Sequence, residues 1–183
     1  MILERTSASL HRTAIYIAIL SCIVLIVSPA CARKTVSAAD PNAQRELNDL
    51  TTSLANGSIA TIDILHMPDR VETRASVSPD NLERWFDCRV TINKISEWSG
   101  RNELVQTMKS STVTQENRMP DMRSAVIFYG SDGHRIGALY FGRYFGRYLG
   151  QFDGAQGAIG NTPVSFKGNM SVWLKQMIPS ALQ

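Results

Sequence analysis

The apolar residues change their spacing along this chain, and each spacing predicts a kind of element. Leu47, Leu50 and Leu54 recur every three or four positions, which is the spacing of one helical face. Asp40-Pro41 before them is a helix start signal, and Asn56-Gly57 after them is a stop signal. Residues 58–66 are rich in isoleucine and other β-formers. This first part predicts a helix followed by a strand.

The middle of the chain repeats the alternation of helix and strand. Ser78-Pro79 predicts a second helix, with Leu82, Trp85 and Phe86 on its inward face at positions i, i+3 and i+4. Residues 88–96 predict a second strand. Residues 99–109 predict a short helix with three inward apolar residues, and residues 110–121 predict a polar loop.

The last third predicts hairpins and a closing helix. Residues 125–129 are apolar without alternation, which is typical of a central strand that is covered on both faces. Asp132-Gly133 supplies the turn to a returning strand over residues 136–144. A further strand is predicted around residues 164–166. The final helix presents four apolar residues on one face and ends at Pro179 (Met170, Trp173, Leu174 and Met177).

Together these elements predict an α+β fold. We expect a single domain over residues 41–183, with a mostly antiparallel sheet of about five strands and three to four helices packed on one of its faces. The alternation in the first half also leaves room for a parallel pair. Residues 33–40 are polar and small, and they predict a flexible lead-in.

Residues 1–32 have the layout of a secretory signal peptide. Arg5 and Arg12 lie in a polar leader, an apolar run extends from Ala14 to Val27, and the small-residue triplet Ala30-Cys31-Ala32 follows. We expect cleavage after Ala32 and a periplasmic or secreted protein. An uncleaved membrane anchor or a lipoprotein is the alternative, although the run is short for an anchor and the residues before Cys31 match a lipid signature poorly.

Removing the leader leaves 151 residues with 17 Lys and Arg against 15 Asp and Glu. A chain of that length fits one domain and buries a core without disulfide bonds. Its near-balanced charge creates no broad field for a polyanion, so no nucleic-acid partner is expected.

Residues 141–150 form a near-tandem repeat of aromatic residues, glycines and arginines. On a strand, Arg143 and Arg147 share one face while Tyr144 and Tyr148 share the other. These four residues are the candidate site for a ligand or partner, because arginines grip carboxylates or phosphates and tyrosines stack on sugars or peptides. The structural alternative is a long curved strand that the glycines allow to bend.

Residues that carry catalytic or metal chemistry are few. Cys88 is the only cysteine after the leader and is expected to be buried as a small apolar residue. His66 is expected on an edge strand, facing away from Asp63, and His134 in a solvated turn. One cysteine and two histidines exclude a structural zinc site. Gly154, Gly157 and Gly160 predict a flexible connection, and no cofactor is expected.

Two functional hypotheses follow from the sequence. The first is a small exported binding protein without enzymatic activity, such as an inhibitor or immunity-type protein or an envelope accessory protein, whose partner is another envelope or extracellular protein. The alternative is a small secreted hydrolase that uses carboxylates or a Cys88/His pair, which the fold would have to bring together.

Overall fold

The computed structural model describes residues 41–68, 70–143 and 156–179, all of which belong to one compact unit. The predicted signal peptide, its cleavage site and the lead-in lie outside these residues, as do Tyr144, Arg147 and Tyr148. Four helices are described: α1 Pro41–Ala55, α2 Pro79–Trp85, α3 Arg101–Lys109 and α4 Met170–Met177. None of these helices is long and apolar enough to cross a membrane.

Seven strands form one sheet in the order β2-β1-β4-β5-β6-β7-β3, and every neighbouring pair is antiparallel. The strands are β1 Thr61–His66, β2 Cys88–Asn93, β3 Thr112–Gln115, β4 Asp121–Tyr129, β5 Arg135–Arg143, β6 Gln156–Ile159 and β7 Thr162–Lys167. The α+β class and the antiparallel sheet are confirmed. The strands number seven rather than five, and the described part contains no parallel pair.

The two additional strands are short. β3 lies inside the predicted loop 110–121, where Val113 is its only apolar residue, and it pairs with β7. β6 includes Gly157, which the glycine spacing had placed in a flexible connection. A Cβ atom at Gly157 would lie 1.8 Å from the carbonyl oxygen of Tyr140 on the neighbouring strand. The glycine therefore permits a close approach of two strands.

The capping signals are placed as the sequence predicts. Gly57 follows α1 with φ of 84°, a conformation that glycine adopts without strain. The Ser78 side chain accepts a hydrogen bond from the backbone N–H of Asn81 at 3.3 Å and caps α2. Gly133 has φ of 78° in the turn between β4 and β5.

Both faces of the sheet carry helices. On what we call the first face, α1, α3 and α4 cover the larger core, which includes Val126 and Phe128 of β4. On the second face, Leu82 of α2 packs over a smaller core that includes Ala125 and Ile127. The expectation that all helices share one face is therefore wrong for α2. β4 is buried on both sides, as its sequence predicts.

Three local expectations also need correction. Trp85 is 55% exposed, because α2 ends there and only Pro79 and Leu82 of that helix are buried. His66 is buried on an inner strand, since β1 lies between β2 and β4. Cys88 is half-buried instead of enclosed, because β2 is the edge strand of the sheet.

Candidate functional site

Arg143, the one predicted ligand residue that the structure describes, ends β5 beside a buried carboxylate. Its Nε atom lies 3.7 Å from Oδ2 of Asp121, and its side chain is 17% exposed. The other three predicted residues, Tyr144, Arg147 and Tyr148, lie outside the described residues. The proposed ligand face therefore stays a prediction, with its first residue placed next to an internal ion pair.

That ion pair joins Asp121 and Arg123, which are both almost fully buried. The Nε atom of Arg123 donates to Oδ2 of Asp121 at 2.8 Å, and its Nη1 atom donates to the carbonyl of Val71 at 2.8 Å. Oδ1 of Asp121 accepts the backbone N–H of Val77 at 2.8 Å. These bonds attach the connection between β1 and α2 to the sheet, so the pair has a structural role.

A second group of polar residues lies on the second face, between α2 and β5. Arg135 donates from Nη1 to both carboxylate oxygens of Glu83, at 2.9 and 3.2 Å, and from Nη2 to the hydroxyl of Tyr140 at 2.6 Å. The Tyr140 hydroxyl in turn donates to Glu83. Burial of the phenol and its hydrogen bond to Glu83 raise the pKa of Tyr140 to about 12. This network fixes α2 on the sheet.

A third group lies on β1 and β2. The buried carboxylate of Asp63 accepts a hydrogen bond from Arg89 and another from Oγ1 of Thr91, the latter at 2.6 Å. The Arg89 side chain is 52% exposed, whereas the Asp63 side chain is 2% exposed. Asp63 thus holds an exposed arginine in a fixed position on the edge strand.

Tyr129 connects the second and third groups. Its pKa is raised by burial and by the negative charge of Asp63, while the charges of Arg89, Glu83 and Arg135 also act on it. It therefore lies within electrostatic reach of both ion pairs. We call the combined set the polar cluster: Asp63, Glu83, Arg89, Thr91, Tyr129, Arg135 and Tyr140. Its two acids and two arginines balance, so the polar cluster presents no net charge.

An exposed aromatic side chain is close in the chain to members of the polar cluster. Trp85 follows Glu83 by two residues and precedes Arg89 by four, so no more than about 14 Å of chain separates Trp85 from Arg89. Trp85 and Val172 are the large apolar residues that are exposed in the described part of the chain. Val172 is on α4, which packs on the first face.

A row of chemically active side chains crosses three strands on the first face. Cys88 of β2 is directly opposite His66 of β1, and His66 is directly opposite Ser124 of β4. Residues paired in this way project from the same face, with Cβ atoms about 4.5–5.5 Å apart. The Nδ1 atom of His66 lies 2.8 Å from Oγ of Ser124. We call these three residues the thiol row.

The remaining histidine has a local role. His134 is exposed in the turn between β4 and β5, where its backbone N–H donates to Asp132 at 3.1 Å and its ring contacts the same carboxylate. The solvated position predicted for it is confirmed.

Asp63 and His66 have separate partners, as the strand alternation predicts. Within residues 41–68, 70–143 and 156–179, no group of three or more His, Cys, Asp or Glu side chains could hold a metal ion.

Comparisons of the chain with protein-family models, with curated proteins and with solved structures found no match.

Sequence reasoning missed the polar cluster and left the Cys88/His pair without a defined histidine, because the members of each group are far apart in the chain. The pairing of His66 with Cys88 depends on β1 and β2 being neighbours, and strand order has no local signal. The capping pattern at Ser78-Pro79 does locate α2, which carries Glu83. The alternation of polar residues at Arg89 and Thr91 also indicates that one face of β2 is exposed.

Proposed function

We propose that the chain is an exported binding protein without enzymatic activity, such as an inhibitor, an immunity-type protein or an accessory subunit, which acts on another protein of the envelope or extracellular space. The order of basic, apolar and small residues over 1–32 supports export. The binding surface that the geometry favours is Trp85 together with the exposed side of the polar cluster.

The observation that carries this proposal is an exposed tryptophan four residues before an exposed, anchored arginine. Trp85 leaves 55% of its surface in contact with water, and the Arg89 side chain leaves 52%. Trp and Arg are the residue types that most often dominate the binding energy of a protein interface. Exposure of a large aromatic side chain has no benefit for the stability of a monomer, whereas it provides apolar area to a partner.

Neighbouring contacts hold the helix that carries Trp85 and the side chain of Arg89. Leu82, which is 0% exposed, and Glu83 attach α2 to the sheet just before Trp85. Asp63 holds the guanidinium of Arg89. A surface that is ordered before association loses less conformational entropy on binding. This favours recognition by a preformed surface.

The chemistry of the surface indicates what the partner presents. Trp85 requires an apolar recess, and the neutral polar cluster requires a rim of hydrogen-bonding groups with little net charge. A partner protein provides both, since interfaces combine an apolar centre with a polar rim.

The test is site-specific photo-crosslinking of the full chain in its native host, with the crosslinker at position 85 and, as a matched control, at the exposed position 172. We expect a discrete crosslinked protein from the envelope fraction at position 85 only. Affinity for the purified partner should fall at least about tenfold in Trp85→Ala and Arg89→Ala, and should stay unchanged in Val172→Ala.

Three outcomes would count against the proposal. Unchanged affinity in both Trp85→Ala and Arg89→Ala would exclude this surface, and a loss confined to Arg143→Glu with Tyr144→Ala would assign binding to residues 143–148 instead. Recovery of the unprocessed chain from the cytosol alone would contradict export.

A further inference from the structure

The two ends of the sheet differ in how their outer edges are protected. At one end, β3 is four residues long, and Oε1 of Gln44 on α1 accepts the backbone N–H of Val113 at 2.9 Å. At the other end, β2 is six residues long, and no strand of the described sheet pairs with its outer side. Because each neighbour in an antiparallel ladder uses only alternate backbone groups, β2 presents N–H and C=O groups outward along roughly 20 Å.

β2 lacks the features that prevent edge-to-edge pairing in most sheets, namely prolines, bulges and charged side chains that project over the edge. Its six residues contain no proline, and their register with β1 is unbroken. Its one charged side chain, Arg89, is bonded to Asp63 of the inner strand β1, so the charge is compensated and held on the sheet. The edge is therefore open to a further strand.

We propose that a second copy of this chain pairs with this edge, so that the two β2 strands lie antiparallel about a twofold axis at Thr91. In this register Val90 of each copy faces Ile92 of the other, and both are half-buried apolar residues that pack against the larger core. Thr91 faces Thr91, and Arg89 faces the neutral Asn93. Apolar β-branched pairs and threonine pairs stabilise neighbouring strands, and no like charges lie opposite each other.

The charges at the two ends of β2 favour a copy of the same chain in this direction. Asp87 lies just before the strand and Lys94 just after it, and both are exposed. Antiparallel pairing at Thr91 brings Asp87 of each copy within one position of Lys94 of the other, which gives two contacts between opposite charges. Parallel pairing would place like charges together. A twofold contact uses the same surface on both copies, and β2 matches itself in its apolar, polar and charged positions.

The dimer goes beyond the binding function proposed above and does not depend on it. It uses the backbone edge of β2 and needs no other protein. Because one strand per copy makes the contact, the interface is smaller than that of a permanent dimer, and we expect it to dissociate on dilution.

The first test is sedimentation equilibrium of the chain as its native host produces it, at concentrations from about 5 to about 500 μM. We expect an equilibrium of monomer and dimer. Asn93→Lys places a lysine opposite Arg89 in both cross-strand pairs and should raise the dissociation constant about fivefold. The matched control Thr112→Lys, at an exposed position of β3, should leave it unchanged.

The second test exchanges the charges at the strand ends. Asp87→Lys and Lys94→Glu each bring like charges together at both ends of the contact and should weaken the dimer about threefold. The double variant restores opposite charges and should return the dissociation constant to within about twofold of the wild-type value. Circular dichroism confirms that each variant is folded.

The third test fixes the register. In a chain with Cys88→Ser, Thr91→Cys places two thiols opposite each other across the twofold axis, within reach of a disulfide bond. Oxidation with copper phenanthroline should link two copies through the tryptic peptide 90–94, identified by mass spectrometry. Asn93→Cys, exposed on the same strand and face, is the matched control and should not link, because it faces Arg89.

A wild-type chain that stays monomeric at about 500 μM would overturn the proposal. A dimer whose dissociation constant is unchanged by Asn93→Lys would do the same, as would a dimer that Thr91→Cys does not link. If Asn93→Lys does not fold, the charge exchange and the crosslink decide the question. All three tests use the purified chain alone, so their failure is distinct from a failure to find a partner at Trp85.

Discussion

The first face of the sheet is covered by three helices over a continuous apolar core, whereas the second face is covered by the seven-residue helix α2 and the connection before it. The larger core contains more than twice as many buried apolar residues of the described chain as the smaller one. Charged side chains occupy the remaining space of the second face, namely Asp63, Asp121 and Arg123.

The two faces therefore have different roles. The first face determines the stability of the fold, and the second face determines the arrangement of α2 and its connection. Apolar burial contributes roughly 25 cal/mol per Å² and does not depend on exact geometry, so the first face determines how stable the fold is. Buried ion pairs contribute little net free energy, because desolvation offsets their attraction, but their hydrogen bonds hold α2 and its connection in one arrangement. We infer that the second face keeps the proposed recognition surface in a defined position at some cost in stability.

The largest expected effect compares the same substitution in the two cores. Leu47 and Leu82 are both 0% exposed, in the larger and the smaller core respectively. We expect Leu47→Ala to lower the free energy of unfolding by about 4 kcal/mol and Leu82→Ala by about 2.5 kcal/mol, because a short helix over a small core relaxes into the space more easily than three packed helices. Urea unfolding followed by circular dichroism measures both.

Equal losses for the two leucines would contradict the distinction between the faces. Exposed Val172→Ala serves as the control, and its effect should stay within about 0.5 kcal/mol.

The next effect concerns the buried ion pair. Asp121→Asn removes the charge that compensates Arg123, and we expect a loss of about 3 kcal/mol in the free energy of unfolding. Adding Arg123→Met to this variant should recover part of that loss, since no uncompensated guanidinium then remains buried. Urea unfolding of both single variants and the double variant gives the coupling energy.

A double variant that is less stable than the wild type by the sum of the two single effects would show that Asp121 and Arg123 do not act as a pair. Arg143 adds a second positive charge at 3.7 Å from Asp121, so Arg143→Gln should be milder than Arg123→Met.

The elements that the sequence predicts best are those with strong local signals. α1 and α4 have apolar residues at helical spacing and clear ends, so they lie where the pattern places them. The sequence also predicts β4 as a central strand, because its unbroken apolar run requires cover on both faces. These features depend on neighbouring residues alone.

The features that the sequence does not reveal depend on strand order and on close contacts. β3 is four residues long with one apolar position, and its strand conformation comes from pairing with β7. Trp85 has the spacing of an inward residue, yet α2 ends at that position. For the candidate sites, the sequence offers a Cys88/His pair without defining the histidine, and it does not predict the contacts of Arg89 and Thr91, since their partner Asp63 lies on another strand.

The smallest expected effect is a pH dependence of the folding stability, which arises from tyrosines on the second face. The pKa of Tyr140 is about 12 in the folded protein and close to 10 in an unfolded chain. Between these values the folded state binds more protons than the unfolded state, so stability falls as the pH rises from about 10 to about 12 and is fully present below pH 10. Tyr129, whose pKa is also raised, changes stability in the same direction.

Tyr140→Phe isolates this contribution. The variant loses the hydrogen bond to Glu83 and the one from Arg135, which should lower the free energy of unfolding at pH 8 by about 1–2 kcal/mol. Because Phe does not titrate, the decrease in stability between pH 10 and 11 should be smaller in the variant than in the wild type, with Tyr129→Phe as the matched comparison. Urea unfolding at each pH gives both curves. If the two curves remain parallel, Tyr140 is not a titrating part of the polar cluster, and the second face depends on apolar packing as the first face does.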